Sequence, residues 1–277
     1  MAGAGMPDPV ITFLSDYGLA DEFVGVCHGV IARICPQARV IDLTHGIPRQ
    51  DVLAGALILQ GALAYLPAGV HLAVVDPEVG AARRAIAIRT KDGRLLVGPD
   101  NGLLWPSAQD CGGIDEAVEI SHSPWRLEPV SATFHGRDIF APVAARLTAG
   151  EPLTQAGEPI APEQLVALQP PHAQIEGSRL LAQVIYVDRF GNLQLGATHE
   201  DAERLGLRLG WELELHKPAG EIHLARLVRT FADARQGDLI VYEDAARRLA
   251  VAINQGSAAQ RLGLRAGAEL WVSARAG

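Results

Sequence analysis

Apolar positions along the chain fall into two textures that meet near residue 150. In the first, continuous apolar runs alternate with longer stretches of helical period. PVITFLSDYG (residues 9–18) is a short apolar run closing on polar residues and glycine, which predicts a buried strand followed by a loop. Residues 21–34 predict a helix stopped by Pro36, and residues 38–44 a second strand. Residues 51–65, rich in Ala and Leu and followed by Pro67 and Gly69, predict a second helix; residues 70–76 predict a third buried strand. This β-α-β-α-β order favours a largely parallel sheet flanked by helices. AIAIRT and LLVGP, joined around Lys91-Asp92-Gly93, predict a hairpin, so the sheet becomes mixed. Residues 136–149 predict a last helix.

The second texture is alternating. The stretch 148–177 holds several prolines and glycines with no clean period, and a linker is placed at residues 156–177 within it. Then come LLAQVIYVD, NLQLG, WELELHK, EIHLARLV, DLIVYED, RLAVAI and ELWVSA, separated by turn residues. They predict an antiparallel β domain closed as a small barrel. The expected fold class is therefore an α/β N-terminal domain (residues 1–155) with a mostly parallel sheet, plus an all-β barrel-like C-terminal domain (178–277).

A length of 277 residues suits two domains, and 48% hydrophobic with 20% charged residues is ordinary for a globular protein. A net charge of −8 argues against nucleic acid as a partner, which would call for a basic face. It leaves room for a small cationic substrate in an acidic pocket. No signal peptide is read at the N-terminus and no stretch is long and apolar enough to span a membrane, so a cytoplasmic location is expected. Cys27, Cys35 and Cys111 form no CxxC pair and are expected as buried free thiols. The nine histidines show no HExxH and no other metal-ligand spacing, so no metal is expected. Neither GxxxxGK[ST] nor a GxGxxG after the first strand is present, which disfavours nucleotide cofactors.

In open α/β sheets, ligands bind beyond the carboxyl ends of the strands. Asp16, Asp42 and Asp76 fall in or just after the three predicted strands, placing carboxylates along one edge. Asp21 of SDYGLADEF reads first as a helix N-cap, and Asp16, nearer the strand end, is compatible with a ligand. VVDPEVGAARRAI sets a strand-end Asp beside two arginines, as an ion pair or as part of a ligand cleft. In TFHGRDIFAP, His135 is either a general acid–base or a structural hydrogen-bond partner, and Arg137–Asp138 reads as a local salt bridge or cap. In VDRFGN, Asp188 and Asn192 read as turn residues; Cys27 and His28 read as packing groups within the first helix.

SDYG, VVDPEVG, VGPDNGLL, TFHGRDIFAP, VDRFGN and INQGSAA occur in one order. That ordered set closely resembles the S-adenosyl-L-methionine (SAM) hydroxide adenosyltransferases, relatives of the enzymes that chlorinate or fluorinate the same substrate, over nearly the whole chain. The resemblance implies an α/β N-terminal and a β-barrel C-terminal domain. It also implies a homotrimer with each site between the N-domain of one subunit and the C-domain of its neighbour. The implied reaction is hydrolysis of SAM to adenosine and L-methionine, with SAM as substrate and no cofactor. The implied catalytic set is Asp76, Arg83 (rather than Arg84) and His135 around an attacking water. The implied binding residues are Asp16 for the ribose hydroxyls, Asp21 and Asp188 for the methionine ammonium, and Asn192 for adenine. Residues 253–257, with Ile253, Asn254 and Ser257, would line the purine, and Phe134 would pack near the ribose.

Halogenating relatives carry Tyr at the place of Asp76, and a carboxylate there would repel a halide. No long insertion precedes the His135 motif. Both features favour water over halide transfer. A non-catalytic SAM-binding protein would have no need of the Asp76, Arg83 and His135 trio. A methyltransferase would carry a glycine-rich loop where only Gly18 follows Asp16. Gln50 stands where halogenating relatives have an aromatic residue and is assigned no role, and no partner for the methionine carboxylate is identified.

Overall fold

A computed structural model describes residues 9–218 and 220–275, and the chain divides into two compact units, Met1–Gln169 and Pro170–Gly277. The first unit runs β1 (Val10–Ser15), α1 (Phe23–Ile34), β2 (Arg39–Thr44), α2 (Val52–Leu63), β3 (Val70–Val74), β4 (Ala85–Thr90), β5 (Leu95–Pro99), α3 (Trp105–Asp110), β6 (Ile114–Glu119), α4 (Ala141–Thr148) and β7 (Glu158–Pro159). Its sheet order is β2-β1-β3-β5-β4-β6-β7. The pairs β1–β2, β1–β3 and β3–β5 are parallel, and β4 pairs antiparallel with both β5 and β6. The parallel half is the predicted βαβαβ segment, and the antiparallel half begins at the predicted hairpin. β1 and β3 are buried along almost their whole length because helices cover both faces, which is why they read as continuous apolar runs.

Helix α1 buries Val24, Cys27, Val30 and Ile31, a stripe at helical spacing. Helix α2 starts at Asp51, whose carboxylate accepts the Ala54 N–H at 2.9 Å. The predicted last helix is present, but its first turn, Gly136–Phe140, is a π-helical turn that passes into α4, with Pro142 in the opening turn of the latter. Residues 156–169, within the stretch read as a linker, belong to the first unit. β7 pairs with β6, and the buried Asp100 accepts the Val166 N–H at 2.9 Å.

The second unit comprises β8 (Gln174–Glu176), β9 (Arg179–Val187), β10 (Leu193–Thr198), α5 (His199–Arg204), β11 (Glu212–His216), β12 (Ile222–Leu227), β13 (Leu239–Glu243), β14 (Arg248–Ile253), α6 (Ala258–Leu262) and β15 (Glu269–Ala274). Pairing runs β9-β10-β14-β13-β12-β11-β15 and returns to β9, so the sheet closes into a barrel with β8 attached to β9. Neighbours are antiparallel except β12 and β13. Alternate residues such as Leu213 and Leu215, or Leu180, Ala182 and Val184, point into one apolar core. Among the described residues, no helix is long and apolar enough to cross a membrane.

Candidate active site

Parallel pairing sets Ser15 opposite Val74, so Asp16 and Asp76 emerge from β1 and β3 at the same sheet edge. Asp16 is fixed by a long-range contact: its Oδ2 accepts the Gln50 N–H at 2.9 Å. Gln50 has φ of 63°, a left-handed conformation that costs a non-glycine residue energy and is held by its surroundings. Asp21 is exposed and, among the described residues, carries no hydrogen bond or ion pair. It does not cap α1. The residue at that position is Glu22, which makes no side-chain cap bond.

Asp76, Arg83 and His135 meet. Arg83 Nε donates to Asp76 Oδ1 at 3.0 Å and Oδ2 at 2.9 Å, and its Nη2 also bonds Oδ2. The same Nη2 donates to His135 Nδ1 at 2.8 Å. The Arg83 and Asp76 side chains are only 4% and 6% exposed, so the pair is buried. The guanidinium also lies 5.2 Å from the Phe140 ring centroid. Arg84 turns elsewhere, donating to Asp100 through Nε at 2.9 Å and Nη2 at 2.6 Å. The two adjacent arginines thus serve different partners, Arg83 with Asp76 and His135 and Arg84 with Asp100. Burial, and next the Arg83 charge, hold the His135 imidazolium form below its ordinary range near 6.5. Arg83 and His135 face a cleft of about 580 Å³ whose wall includes Glu119, Arg126 and Glu128.

Phe134 joins an aromatic group with Tyr17 and Phe23. The Phe23–Phe134 centroids are 5.1 Å apart and Tyr17–Phe134 6.0 Å, both edge-on. A side chain at Gly136 would place its Cβ 2.2 Å from the Tyr17 hydroxyl, so glycine is what lets this turn approach the ring. Tyr17 is kept protonated, its hydroxyl raised well above 10 by burial and then by Cys27, Asp16 and Asp76. Arg137 and Asp138 form the expected local salt bridge, at 2.6 and 2.9 Å. Asp138 also accepts the Ser131 N–H at 2.8 Å, which ties the preceding loop to the turn.

The second unit brings its own candidates together. Asp188 Oδ1 accepts the N–H groups of Phe190 and Asn192, each at 2.9 Å, and Oδ2 accepts Asn192 Nδ2 at 2.7 Å. Both residues are therefore turn formers here, as their spacing predicts. Gly191 has φ of 79°, and a Cβ there would fall 2.0 Å from Ser257 Oγ, so this turn abuts the β14–α6 loop. In that loop Ile253 bridges Gly256. Asn254 Nδ2 donates to the Ala234 carbonyl at 2.8 Å, and Ser257 caps α6 by accepting the Gln260 N–H at 3.1 Å. Asn254 and Ser257 thus spend side-chain polar groups on structural bonds, and the Asn254 backbone is engaged too, accepting the Gly237 N–H at 2.9 Å and donating to the Asp238 carbonyl at 3.1 Å.

Sequence reasoning missed three supports. Asn101 Nδ2 holds the Val75 carbonyl at 2.8 Å, beside Asp76. Asp100 gathers Arg84 and Val166, and Tyr17 packs against Gly136. The VGPDNG string signalled the first two, but a lone turn motif does not name its partners.

The chain matches the family model described as the SAM hydroxide adenosyltransferase N-terminal domain over residues 11–157, and that described as its C-terminal domain over residues 182–271. It belongs to the SAM hydroxide adenosyltransferase family. Within that relationship, it is 51% identical over 268 residues to a Salinispora tropica protein named (R)-S-adenosyl-L-methionine hydrolase, covering 97% of this chain and 99% of that one. It is 30% identical over 295 residues to a fluorinase from an Actinoplanes species, covering 96% and 98%. A crystal structure of an uncharacterized conserved protein from Thermotoga maritima superposes with a TM-score of 0.87 at 34% identity, covering 95% and 99%. The SAM hydroxide adenosyltransferase assignment thus spans both units, each matched over most of its length.

Proposed function

We propose that this chain hydrolyses SAM to adenosine and L-methionine, by in-line attack of water on the ribose C5′ carbon. The observation that carries the reading is the hydrogen-bonded set at the end of β3, in which the buried Asp76–Arg83 pair meets the half-buried His135. The 51% identity to a named SAM hydrolase, against 30% to a fluorinase, supports it. Following the same relative's name, the preferred substrate is the (R) sulfonium epimer.

The chemistry suits these groups. A sulfonium leaves as a neutral thioether, so the reaction calls for no acid and no cofactor. Water's oxygen bonds C5′, the C5′–S bond breaks with its electron pair going to the methionine sulfur, and one water proton must be taken up. Bulk water, with a pKa of about 15.7, attacks poorly unless a base assists. Arginine only donates, so His135 Nδ1 accepts from Arg83, and the neutral imidazole carries its proton on Nε2. His135 can therefore orient water by donating from Nε2, and Asp76 takes the proton. Of its two oxygens, Oδ1 takes one Arg83 N–H and Oδ2 two, so Oδ1 keeps more lone-pair capacity. Arg83 stabilises the developing hydroxide. In-line placement supplies up to ~7–11 kcal/mol of the barrier reduction.

Binding follows the resemblance. Asp16 takes the ribose hydroxyls and Phe134 packs near the ribose. Asp21, whose carboxylate is unpaired, and Asp188 take the methionine ammonium. Asn192 with Ile253, Asn254 and Ser257 lines adenine. The finer reading is a cytoplasmic homotrimer with sites between subunits. The family resemblance supports the trimer, and three unpaired buried thiols suit a reducing compartment.

Chromatography of purified protein with each SAM epimer, with and without chloride, tests the reading. Equal amounts of adenosine and methionine in halide-free buffer support it. A 5′-chlorinated nucleoside moves the chain to the halogenases, and tight binding of unchanged SAM overturns the enzyme.

A further inference from the structure

Away from the Asp76 set, three side chains converge at the edge of the first sheet. His28 lies on α1, Asp42 on the edge strand β2, and His45 in the loop that follows it. His28 Nε2 is 2.8 Å from Asp42 Oδ1, and His45 Nε2 is 3.0 Å from that same oxygen. The ligand-type atoms of all three lie within 4.8 Å of one another.

His45 separates this cluster from an ordinary ion pair. Its side chain is only 2% exposed, and its Nδ1 is engaged by the Ser15 hydroxyl at 2.7 Å. Its Nε2 is buried and makes no well-directed hydrogen bond, although Asp42 Oδ1 lies 3.0 Å away. A buried imidazole nitrogen without a bond is costly. If Ser15 accepts from Nδ1–H, the Nε2 lone pair faces a carboxylate oxygen, an arrangement that a cation between them relieves.

We propose that His28, Asp42 and His45 bind a divalent transition-metal ion of the zinc class. Two imidazoles and a carboxylate are a borderline-soft ligand set suited to Zn²⁺ or Co²⁺. Ligand atoms at ~2.0 Å from a tetrahedral centre lie about 3.3 Å apart, so the two nitrogen-to-Asp42 spacings need open by only a few tenths of an ångström, and the two imidazoles already sit within 4.8 Å of each other. Ser15 supplies the outer hydrogen bond that fixes the His45 ring. Asp42 and His28, at 42% and 34% exposure, leave the outward side open to water. The ion would pin α1 and β2 to the loop that continues to Gln50, whose N–H holds Asp16. The site does not depend on what Asp16 binds.

The test uses untagged full-length protein stripped with chelator, then titrated with Co²⁺ by visible absorption and with Zn²⁺ by elemental analysis after desalting. One equivalent per chain, a tetrahedral Co²⁺ spectrum and a raised Tm are expected. Ser15→Ala should weaken affinity by ~10-fold, and His28→Gln and Asp42→Asn by more. His28 is partly exposed, so its variant should keep the wild-type circular dichroism spectrum. Substoichiometric binding overturns the proposal, and so does binding equally tight in His28→Gln, which would place the ion elsewhere.

Discussion

Arg83 donates to Nδ1 of His135 at 2.8 Å, and this bond dictates the protonation state in which the site can work. A protonated imidazole cannot accept it and would face a guanidinium. Burial and Arg83 lower the His135 pKa below 6.5. We predict that kcat/KM is level near neutral pH and falls on the acid side as pH drops below 6.5 through that lowered pKa. His135→Gln keeps an acceptor for Arg83 but does not titrate. It should lose ~10²-fold in rate and flatten the acid limb. An unchanged acid limb in the variant would assign the titration to another group.

Asp76 and Arg83 are buried together, so removing one leaves the other as an uncompensated charge. Asp76→Ala should cost about 3–5 kcal/mol of stability as well as activity. The double variant Asp76→Ala/Arg83→Leu removes both charges and should recover much of that stability in urea melts while remaining inactive. Asp76→Asn keeps the shape and should lower kcat by ~10²–10⁴-fold. Activity returning with stability in the double variant would show that the pair is only structural.

Gly136→Ala forces a Cβ to within 2.2 Å of the Tyr17 hydroxyl. Tyr17 packs on Phe134, so the strain falls on the aromatic group and on the turn that carries His135. A loss of ~1–3 kcal/mol is expected, with a larger rise in KM than fall in kcat. The partner variant Tyr17→Phe deletes the clashing oxygen and should rescue part of both effects. Denaturation and steady-state kinetics on the two single variants and the double check this.

His71, in the middle of β3, is wholly buried, with Nδ1 2.9 Å from Thr12 Oγ1. Burial, and next the Arg94 charge, push its pKa down to about 4 from 6.5. The unfolded chain binds this proton more readily, so the stability held above pH 6.5 is lost progressively as pH falls to about 4. The depression corresponds to roughly 3 kcal/mol. His71→Leu should show a flatter stability curve across that window, alongside a loss at neutral pH from the stranded Thr12 hydroxyl. Parallel curves for wild type and variant would contradict this.

The seven alternating runs of the second half each became a barrel strand, because a closed sheet with one inner face imposes period two on every strand. Helix α3 and strand β6 were not anticipated. The former is six residues with Pro106 in its first turn, and the latter places Asp115 and Glu116 among its apolar positions. The Asp76, Arg83 and His135 trio was legible only through the ordered motifs. No local pattern says that a π-helical turn carries residue 135 to the end of β3. His28, Asp42 and His45 escaped notice because they come from a helix, a strand and a loop, which no ligand spacing joins. The contact that fixes Asp16 was equally hidden, since Gln50 makes it through its backbone N–H.

The central claim is that water oxygen becomes the 5′ oxygen of adenosine. Incubation of the protein with SAM in halide-free buffer made with ¹⁸O-labelled water, followed by mass spectrometry of the nucleoside, tests it directly. The account predicts adenosine carrying one ¹⁸O, formed in step with methionine and lost in Asp76→Asn. Unlabelled adenosine, or S-adenosylhomocysteine with no adenosine released, would contradict attack of water at C5′.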